Sequence, residues 1–322
     1  MLFGITPLAL MTLKIRRARP DELALLTQLA ATEQANPQRH IAYLSETAPE
    51  IAAELQDLDR PWATVSAVAC QDEAVVGWLV GDFDLEVGRT WWLGPFVAVD
   101  DEGVWSKVVT ALHGHALDML PEGVVEQEFA VDEHFEWLVR WGQARGFVPG
   151  TISVSMSSAL DAGARVLSDA PPVEATLRPL TQGDRATVAP LHDRLFPGTY
   201  MTGAQLAAAS KDHDVRLVAA DPQTGVVAGY IAAQRQPDGG GYIDFLGVAE
   251  GFRRQGHARR LIQAAARVLH DTLDCRSVHL TVEASNAAAR ALYGSLGFKE
   301  ARALRGLSKR PAPAPTGPKG AP

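Results

Sequence analysis

The stretch Phe252-Arg253-Arg254-Gln255-Gly256-His257-Ala258 separates an apolar run, residues 242–248, from a segment whose apolar residues recur at helical spacing. The run predicts a buried strand, and the recurrence from Leu261 onward predicts an amphipathic helix. A short loop before a helix exposes backbone N–H groups at the positive end of the helix dipole, which suits a phosphate. Gly256 has no Cβ, so a ligand can approach the backbone closely there. Taken alone, the same stretch also fits an ordinary strand-to-helix turn with exposed arginines.

A second motif follows another predicted strand at residues 278–282. It reads Asn286-Ala287-Ala288-Ala289-Arg290-Ala291-Leu292-Tyr293-Gly294-Ser295-Leu296-Gly297-Phe298. Ser285 or Asn286 can cap the start of this helix, and Gly297 fits the position just past its end. The string resembles the N-x-x-A-x-x-L-Y-x-x-L-G-F signature of the GNAT acetyltransferase superfamily. The loop at residues 253–258 resembles the Q/R-x-x-G-x-G/A motif of the same superfamily, and the resemblance covers roughly residues 173–304.

The resemblance implies an α/β fold in which the fourth and fifth strands of a mixed sheet splay apart around acetyl-CoA. The backbone of the fourth strand would bind the pantetheine arm, through Leu246, Gly247 and Val248. The following loop would bind the pyrophosphate, through Arg253, Arg254, Gln255, Gly256, His257, Ala258 and Arg259. Asn286 would hydrogen-bond the cofactor arm near the next helix. No metal site is predicted.

The resemblance also implies that Tyr293 is the general acid that protonates the departing thiolate. The alternative is a tyrosine that only packs on a helix face. Asp244 is the one acid of the fourth strand, and its spacing predicts that it shares a face with Tyr242 and Leu246. A carboxylate there could accept the proton of the amine, or could simply bind backbone or an arginine.

Other polar residues near these motifs are weaker candidates. Glu283, at the end of the fifth strand, is a rival base. His257 and His279 are expected to be exposed. The turn at residues 196–200 (FPGTY) lies where the superfamily builds its acceptor pocket, but it also fits a plain connection between helices.

Composition limits the class of protein. The chain has 322 residues, which is long for one core, and its 47% apolar and 21% charged residues are typical of a soluble globular protein. The net charge of -8 argues against a nucleic-acid partner. Cys70 and Cys275 are the only cysteines and form no CxxC pair, which excludes a disulfide-rich scaffold and suits the cytoplasm. No apolar run is long enough for a membrane span, and residues 1–11 lack the features of a signal peptide.

The two halves of the chain look alike at an offset of about 150 residues, a domain-sized repeat. Val75-Val76-Gly77-Trp78 parallels residues 226–230, and Arg145-Gly146-Phe147 parallels residues 296–298. We therefore predict two tandem domains, at residues 1–160 and 173–307. A linker at residues 161–172 and a disordered Pro-rich tail at residues 308–322 complete the organisation.

The first copy lacks both motifs. Where the second has FRRQGHA, the first has GVWSKVV at residues 103–109, without the arginines or the glycine. Where the second copy has the motif that starts at Asn286, the first copy has Asp132-Glu133-His134-Phe135. The acidic side chains of this stretch would repel a polyanion. The last strand of the second copy is expected to be short or missing after Phe298, so a strand near residues 151–156 would replace part of the acceptor wall.

These observations predict an acetyl-CoA-dependent N-acetyltransferase with a degenerate first domain, acting on the primary amine of a small molecule. Its tandem layout is similar to that of mycothiol synthases. A non-catalytic acyl-CoA-binding module and an enzyme acting on a peptide or protein amine remain as alternatives. The sequence leaves the amine and the oligomeric state open.

Overall fold

The computed structural model describes residues 13–168, 176–208 and 214–310, which form two compact units. The first unit contains the described residues up to Thr151 together with those from Leu304 onward. The second unit is Ile152–Ala303. The unit boundaries therefore fall within two strands and not in a linker.

The first unit is a mixed sheet flanked by helices. Its elements in chain order are β1 (Leu13–Arg17), α1 (Leu23–Gln34), α2 (Ala48–Asp57), β2 (Ser66–Gln71), β3 (Ala74–Asp84), β4 (Arg89–Val97), α3 (Glu102–Leu117), β5 (Glu126–Asp132) and α4 (Glu136–Gln143). The strand order is β1-β2-β3-β4-β5, followed by the end of β12 (Lys299–Lys309). Only β4 and β5 are parallel, from Arg89 to Trp91, and the other pairs are antiparallel.

The second unit repeats this arrangement. Its elements are β6 (Val148–Ala159), β7 (Leu177–Pro179), α5 (Arg185–Leu195), α6 (Gly203–Leu206), β8 (Asp214–Ala220), β9 (Val227–Arg235), β10 (Gly241–Val248), α7 (His257–Asp271), β11 (Ser277–Glu283), α8 (Ala287–Ser295) and the first part of β12. The strand order is β7-β8-β9-β10-β11-β6, and again one central pair, β10 with β11, is parallel. The predicted tandem α/β fold is confirmed.

Each sheet is completed by a strand from the other half of the sequence. The end of β12 pairs antiparallel with β5, from Leu304 opposite Asp132 to Lys309 opposite Gln127. β6 pairs antiparallel with β11 along Glu283 to Ser277. The expectation of a short or missing last strand is wrong, because residues 299–309 form a full strand that is shared between the units. A strand near residues 151–156 does join the second sheet, as β6 beside β11.

The domain boundaries also differ from the predicted ones. Leu160 and Val166, placed at the end of the first domain and in the linker, are buried in an apolar cluster of the second unit. Ser308 and Lys309, assigned to the tail, are the last residues of β12. The remaining predicted tail, residues 311–322, and the N-terminal residues 1–12 lie outside the described residues.

Alternating residues of β8 and β9 face two apolar clusters on opposite sides of the second sheet. Leu217 and Ile231 pack with α7, whose buried face includes Leu261 and Ile262. Val218 and Tyr230 pack with Leu191 and its neighbours on α5. We call these the α7 face and the α5 face. No helix within the described ranges is both long and apolar enough to cross a membrane.

The pairing of β12 with β5 of the first unit can be tested by truncation. Ending the chain after Ala303 removes the partner of β5 and also Leu307, which is fully buried in the first unit. All seven tryptophans lie between residues 62 and 141, so their emission reports on this unit alone. The truncated chain should show solvent-exposed tryptophan emission and no cooperative transition for the first unit. A chain ended after Arg310 keeps β12 and is the matched control, so its transition should be unchanged. Native emission from the shorter chain would contradict the exchanged topology.

Candidate active site

The strands β10 and β11 separate along their length. They pair in parallel from Gly241 with Val278 to Ile243 with Leu280, although both strands continue beyond that point. On its other edge, β10 stays paired with β9 as far as Val248. Among the described residues, positions 244–248 have no strand partner on the β11 side, so backbone groups on that edge can bind a ligand. The splay that the resemblance implies is present.

A β-bulge lies at the point where the strands separate. The register with β9 pairs Ile243 with Ala233 and Phe245 with Ala232, so that Asp244 has no residue opposite it. An extra residue of this kind bends its strand and increases the local twist. The bulge therefore places an acidic side chain at the mouth of the gap.

The bulge also changes which side chains share a face. Tyr242 lies opposite Gln234 in the register, and Gln234 donates a hydrogen bond to Asp244. Leu246, by contrast, packs against the cluster of the α7 face. The expectation that Tyr242, Asp244 and Leu246 share one face is wrong for Leu246, because the extra residue shifts the alternation by one.

The carboxylate of Asp244 is held by two donors. The hydroxyl of Tyr200 donates to Oδ1 at 2.5 Å, and Nε2 of Gln234 donates to the same oxygen at 3.0 Å. No donor from the described part of the chain reaches Oδ2. Burial raises the pKa of Asp244 to about 6, and the two hydrogen bonds oppose that rise. The side chain is thus mostly ionised at neutral pH and keeps one oxygen free to accept a proton.

A turn at residues 196–202 covers this carboxylate. The rings of Phe196 and Tyr200 each lie 5.2 Å from the ring of Phe245. A cavity of about 30 Å³ next to Asp244 is lined partly by Met201 at the end of the turn. From the sequence, this turn could either line the acceptor pocket or simply connect two helices. Its position over Asp244 favours a role in the acceptor pocket.

The loop before α7 presents unpartnered backbone donors. Arg254 and Gly256 have positive φ values of 65° and 83°, and Gly256 is the N-cap of the helix. Within the described residues, the N–H groups of residues 254–259 meet no acceptor, and a Cβ built on Gly256 would meet no atom within 4 Å. Several free N–H groups at the start of a 15-residue helix can bind an anion.

His257 lies inside this loop and is buried, although the sequence predicted an exposed residue. Its side chain is only 6% exposed, because the ring packs against Phe252 with 6.2 Å between centroids. Burial lowers the pKa of His257, so the ring is neutral at pH 7. Its Nδ1 atom is buried and has no partner among the described residues. An unpaired buried polar atom at a helix N-terminus is a second sign of a ligand site.

The helix α8 carries the other two predicted site residues. Asn286 is its N-cap, and its Oδ1 accepts a hydrogen bond from the N–H of Ala289 at 3.1 Å. Tyr293 is 8% exposed, and its ring lies 5.8 Å from that of Phe298 in a tilted arrangement. Burial raises the pKa of Tyr293 to about 12, so its hydroxyl keeps its proton at neutral pH. No hydrogen-bond partner from the described residues occupies that hydroxyl.

The structure brings the predicted residues together only in part. Asp244 is held by residues of the α5 face, whereas Tyr293 belongs to the cluster of the α7 face. A ligand could contact both side chains only through the gap between β10 and β11. The rival base Glu283 is exposed and is contacted by Ser285, and His279 is exposed and contacts Ser277.

The first unit lacks each of these features. Only four residues separate the end of β4 from the start of α3, and the side chain of Asp101 accepts a hydrogen bond from the N–H of Val104. That acid occupies the position where the second unit offers free N–H groups. Phe135 takes the N-cap place of Asn286, and seven residues later Gly142 stands where the second unit has Tyr293.

The gap between β4 and β5 in the first unit is filled by the chain itself. The two strands pair only as far as Trp91 and Glu128. Beyond that point Ile41 forms an antiparallel bridge with Val131, and its neighbour Ala42 donates its N–H to a carbonyl of β5. The segment of residues 39–42 therefore takes the place that a cofactor arm would need.

Arg39 anchors this segment on the other side of the gap. Its guanidinium donates to the carbonyls of Val97 and Val99, at 3.3 and 2.8 Å, and lies 4.2 Å from the ring of Trp137. Sequence reasoning missed this contact, because nothing local links Arg39 to a strand nearly sixty residues away. It also missed the bonds to Asp244, although the tyrosine in the FPGTY turn was a usable signal.

Comparison with known proteins finds a family match that lies within the second unit. Residues 186–298 match the profile of the acetyltransferase (GNAT) family. A stretch of 65 residues is 37% identical to an N-alpha-acetyltransferase of Sulfurisphaera tokodaii, covering 20% of this chain and 39% of that relative. An N-alpha-acetyltransferase of Caenorhabditis elegans is 36% identical over 78 residues, covering 23% and 43%. The chain thus matches less than half the length of these relatives.

Solved structures match the fold of nearly the whole chain. A GCN5-related N-acetyltransferase from Sphaerobacter thermophilus superposes with a TM-score of 0.65 at 18% identity, covering 93% of this chain and 96% of that one. A tandem GNAT protein from the clavulanic acid biosynthesis pathway superposes with a TM-score of 0.62 at 13% identity, covering 94% and 99%. At these identities the likeness shows the tandem fold alone.

The stability of the first unit should depend on pH through Glu33, which lies beside Arg39. Burial raises the pKa of Glu33 from 4.5 to about 7, although Arg39 lies 3.7 Å away. The folded unit therefore retains a proton that the unfolded chain has lost, and its stability should fall as pH rises from about 4.5 through 7. Complete ionisation costs about 3 kcal/mol, a shift of roughly 2.5 units at 1.36 kcal/mol each.

Glu33→Gln removes this cost. Urea unfolding followed by tryptophan emission should find the variant more stable than wild type at pH 8 and close to it at pH 4.5. The exposed Glu122→Gln is the control and should track wild type at both pH values. An equal pH dependence for Glu33→Gln and wild type would refute the assignment.

Proposed function

Because residues 186–298 match the acetyltransferase (GNAT) family, we propose that the second unit transfers an acetyl group from acetyl-CoA to a primary amine. The observation that carries this proposal is the gap between β10 and β11, whose open edge at residues 244–248 is followed in the chain by the unpartnered N–H groups of residues 254–259. A cofactor with an extended arm and a pyrophosphate needs these two features side by side.

The residues present fit such a cofactor. In the described part of the chain, the backbone edge of Leu246, Gly247 and Val248 has no strand partner on the β11 side and can hydrogen-bond the amide groups of the arm, as an added strand does. The carbonyl of Val248 accepts a long bond, 3.4 Å, from Nε of Arg253, which the arm would have to replace. The N–H groups at the start of α7 and the unpaired Nδ1 of His257 suit phosphate oxygens or their water. Arg253, Arg254, Gln255, Ala258 and Arg259 complete the proposed loop, and Asn286 keeps its amide N–H groups free for the arm because only its Oδ1 caps α8.

Acetyl-CoA would supply an activated thioester and a thiol leaving group. Asp244 would accept a proton from the amine at its free Oδ2, directly or through a water, since a pKa of about 6 leaves it ionised at neutral pH. Tyr293 would donate its hydroxyl proton to the sulfur as the C–N bond forms and the C–S bond breaks. These roles balance one proton taken up and one released.

Two classes of acceptor amine are consistent with this site. A small-molecule primary amine was the acceptor predicted from the sequence, and the cavity of about 30 Å³ beside Asp244 has room for an amino group. The names of the relatives, N-alpha-acetyltransferases, favour the α-amino group of a peptide as the second candidate. Thiol release from acetyl-CoA with a panel of small amines and of short peptides separates the two. Cofactor binding without thiol release from any acceptor would leave a non-catalytic acyl-CoA-binding module.

One acetyl-CoA should bind per chain, in the second unit. Gly256→Glu puts a carboxylate at the mouth of the anion site and should abolish binding in calorimetric titration, through steric block and charge repulsion. Gly114→Glu makes the same change on an exposed face of α3, where a Cβ also meets no atom within 4 Å, and should bind as wild type does. Two equivalent sites in the wild-type chain would contradict the proposal.

Tyr293→Phe removes only the hydroxyl. Turnover at saturating substrate should fall at least about tenfold, while the Kd for acetyl-CoA changes by less than about threefold, because a general acid acts in the transition state. Tyr43→Phe deletes a hydroxyl in the first unit and serves as the control. Full turnover in Tyr293→Phe would reduce this tyrosine to a packing residue.

A further inference from the structure

The imidazole of His192 is a buried titratable group that the proposed reaction does not use. It is fully buried on α5, with its ring 4.6 Å from that of Phe245. Nε2 lies 2.9 Å from the carbonyl oxygen of Met201, and Nδ1 lies 2.8 Å from the hydroxyl of Tyr230. A carbonyl only accepts, so Nε2 carries the proton and Nδ1 accepts from Tyr230. Burial lowers the pKa of His192, which keeps it in this neutral form.

Tyr230 connects this imidazole to the cofactor strand. It lies opposite Gly247 in the register of β9 and β10. A Cβ built on Gly247 would lie only 2.5 Å from Cε1 of Tyr230, so the ring rests directly on the backbone of the glycine. The strand residue expected to bind the arm of acetyl-CoA is therefore in contact with a ring whose hydroxyl holds His192.

At its other end the imidazole holds the turn that covers Asp244. Met201, whose carbonyl accepts from His192, follows directly on Tyr200, whose hydroxyl donates to Asp244. Asp193 holds the same turn two residues later, by accepting from the N–H of Gly203 at 2.6 Å. The helix α5 thus holds the turn through two neighbouring residues, and of these two only His192 is also bonded to β9.

We propose that His192 and Tyr230 are positioning residues that couple the occupation of the cofactor strand to the placement of the acceptor-side turn. This inference depends on the proposed function, since it assigns the cofactor to β10 and the amine to Asp244. Fixing the backbone at Gly247 restrains the ring of Tyr230, the hydroxyl restrains His192, and His192 restrains Met201 and with it Tyr200. Acetyl-CoA then prepares the amine site, so that the amine binds better after the cofactor than before it.

The first experiment separates binding of the amine from chemistry. Tyr230→Phe leaves Nδ1 of His192 without a donor but keeps the ring on Gly247. The KM for the amine should rise about tenfold, the effect of losing one buried hydrogen bond, while kcat and the Kd for acetyl-CoA change less than about threefold. Tyr43→Phe deletes the hydroxyl that donates to Glu128 in the first unit and should leave all three constants unchanged. An unchanged KM in Tyr230→Phe would overturn the coupling.

The second experiment needs no turnover. Hydrogen exchange measured with and without acetyl-CoA should show protection of residues 254–259 and of residues 196–202 in the wild-type chain. Tyr230→Phe should retain the first protection and lose the second. Protection of both segments in the variant would overturn the inference and leave the proposed function standing. Failure of acetyl-CoA to protect residues 254–259 in the wild type would instead sink the proposed function.

Two substitutions of His192 guard against a simple folding defect. Gln places an amide N–H near Nε2 and can still donate to Met201, whereas Leu fills a similar volume without any donor. His192→Gln should keep the KM for the amine within about threefold of wild type, and His192→Leu should raise it about tenfold or more. If His192→Gln and His192→Leu have equal melting temperatures and the same KM for the amine, the imidazole only fills space.

Discussion

The parting of β10 from β11 after Ile243 is the constraint on which the second unit depends. Parallel strands normally satisfy each other's backbone groups along their full length. Here the bulge at Asp244 turns β10 away, so that a backbone edge is exposed inside the sheet. An exposed edge needs a partner, and an extended ligand is one way to supply it. The loop at residues 253–256 and the start of α7 would then bind the other end of the same ligand.

The two units differ in what lies beside the exposed strand edge. In the second unit the edge stays open, and the turn at residues 196–202 lies to one side, held by His192 and by the bond from Tyr200 to Asp244. In the first unit the corresponding connection after α1 enters the gap. Ile41 bridges to β5, and Arg39 binds the carbonyls at the end of β4. The same fold is thereby closed by its own chain and has no room for a cofactor arm between its strands.

The sequence predicted what is encoded locally. The strand at residues 242–248, the glycine before an amphipathic helix, a helix cap at Ser285 or Asn286 and the Gly297 stop each depend on a few neighbouring residues. All are present, with Asn286 as the cap. Long-range pairing was not predictable in this way. The bulge at Asp244 exists only relative to β9, and the exchange of β6 and β12 only relative to strands in the other half. The burial of His257 depends on Phe252, whose packing no spacing rule describes.

We propose that this chain has one cofactor site, between β10 and β11. The most direct measurement is a crystal structure of the full chain with acetyl-CoA bound. The account predicts density for the arm along Leu246–Val248, for the pyrophosphate at the N–H groups of residues 254–259, and none between β4 and β5. A cofactor bound in the first unit, with residues 39–42 displaced from the gap, would contradict it.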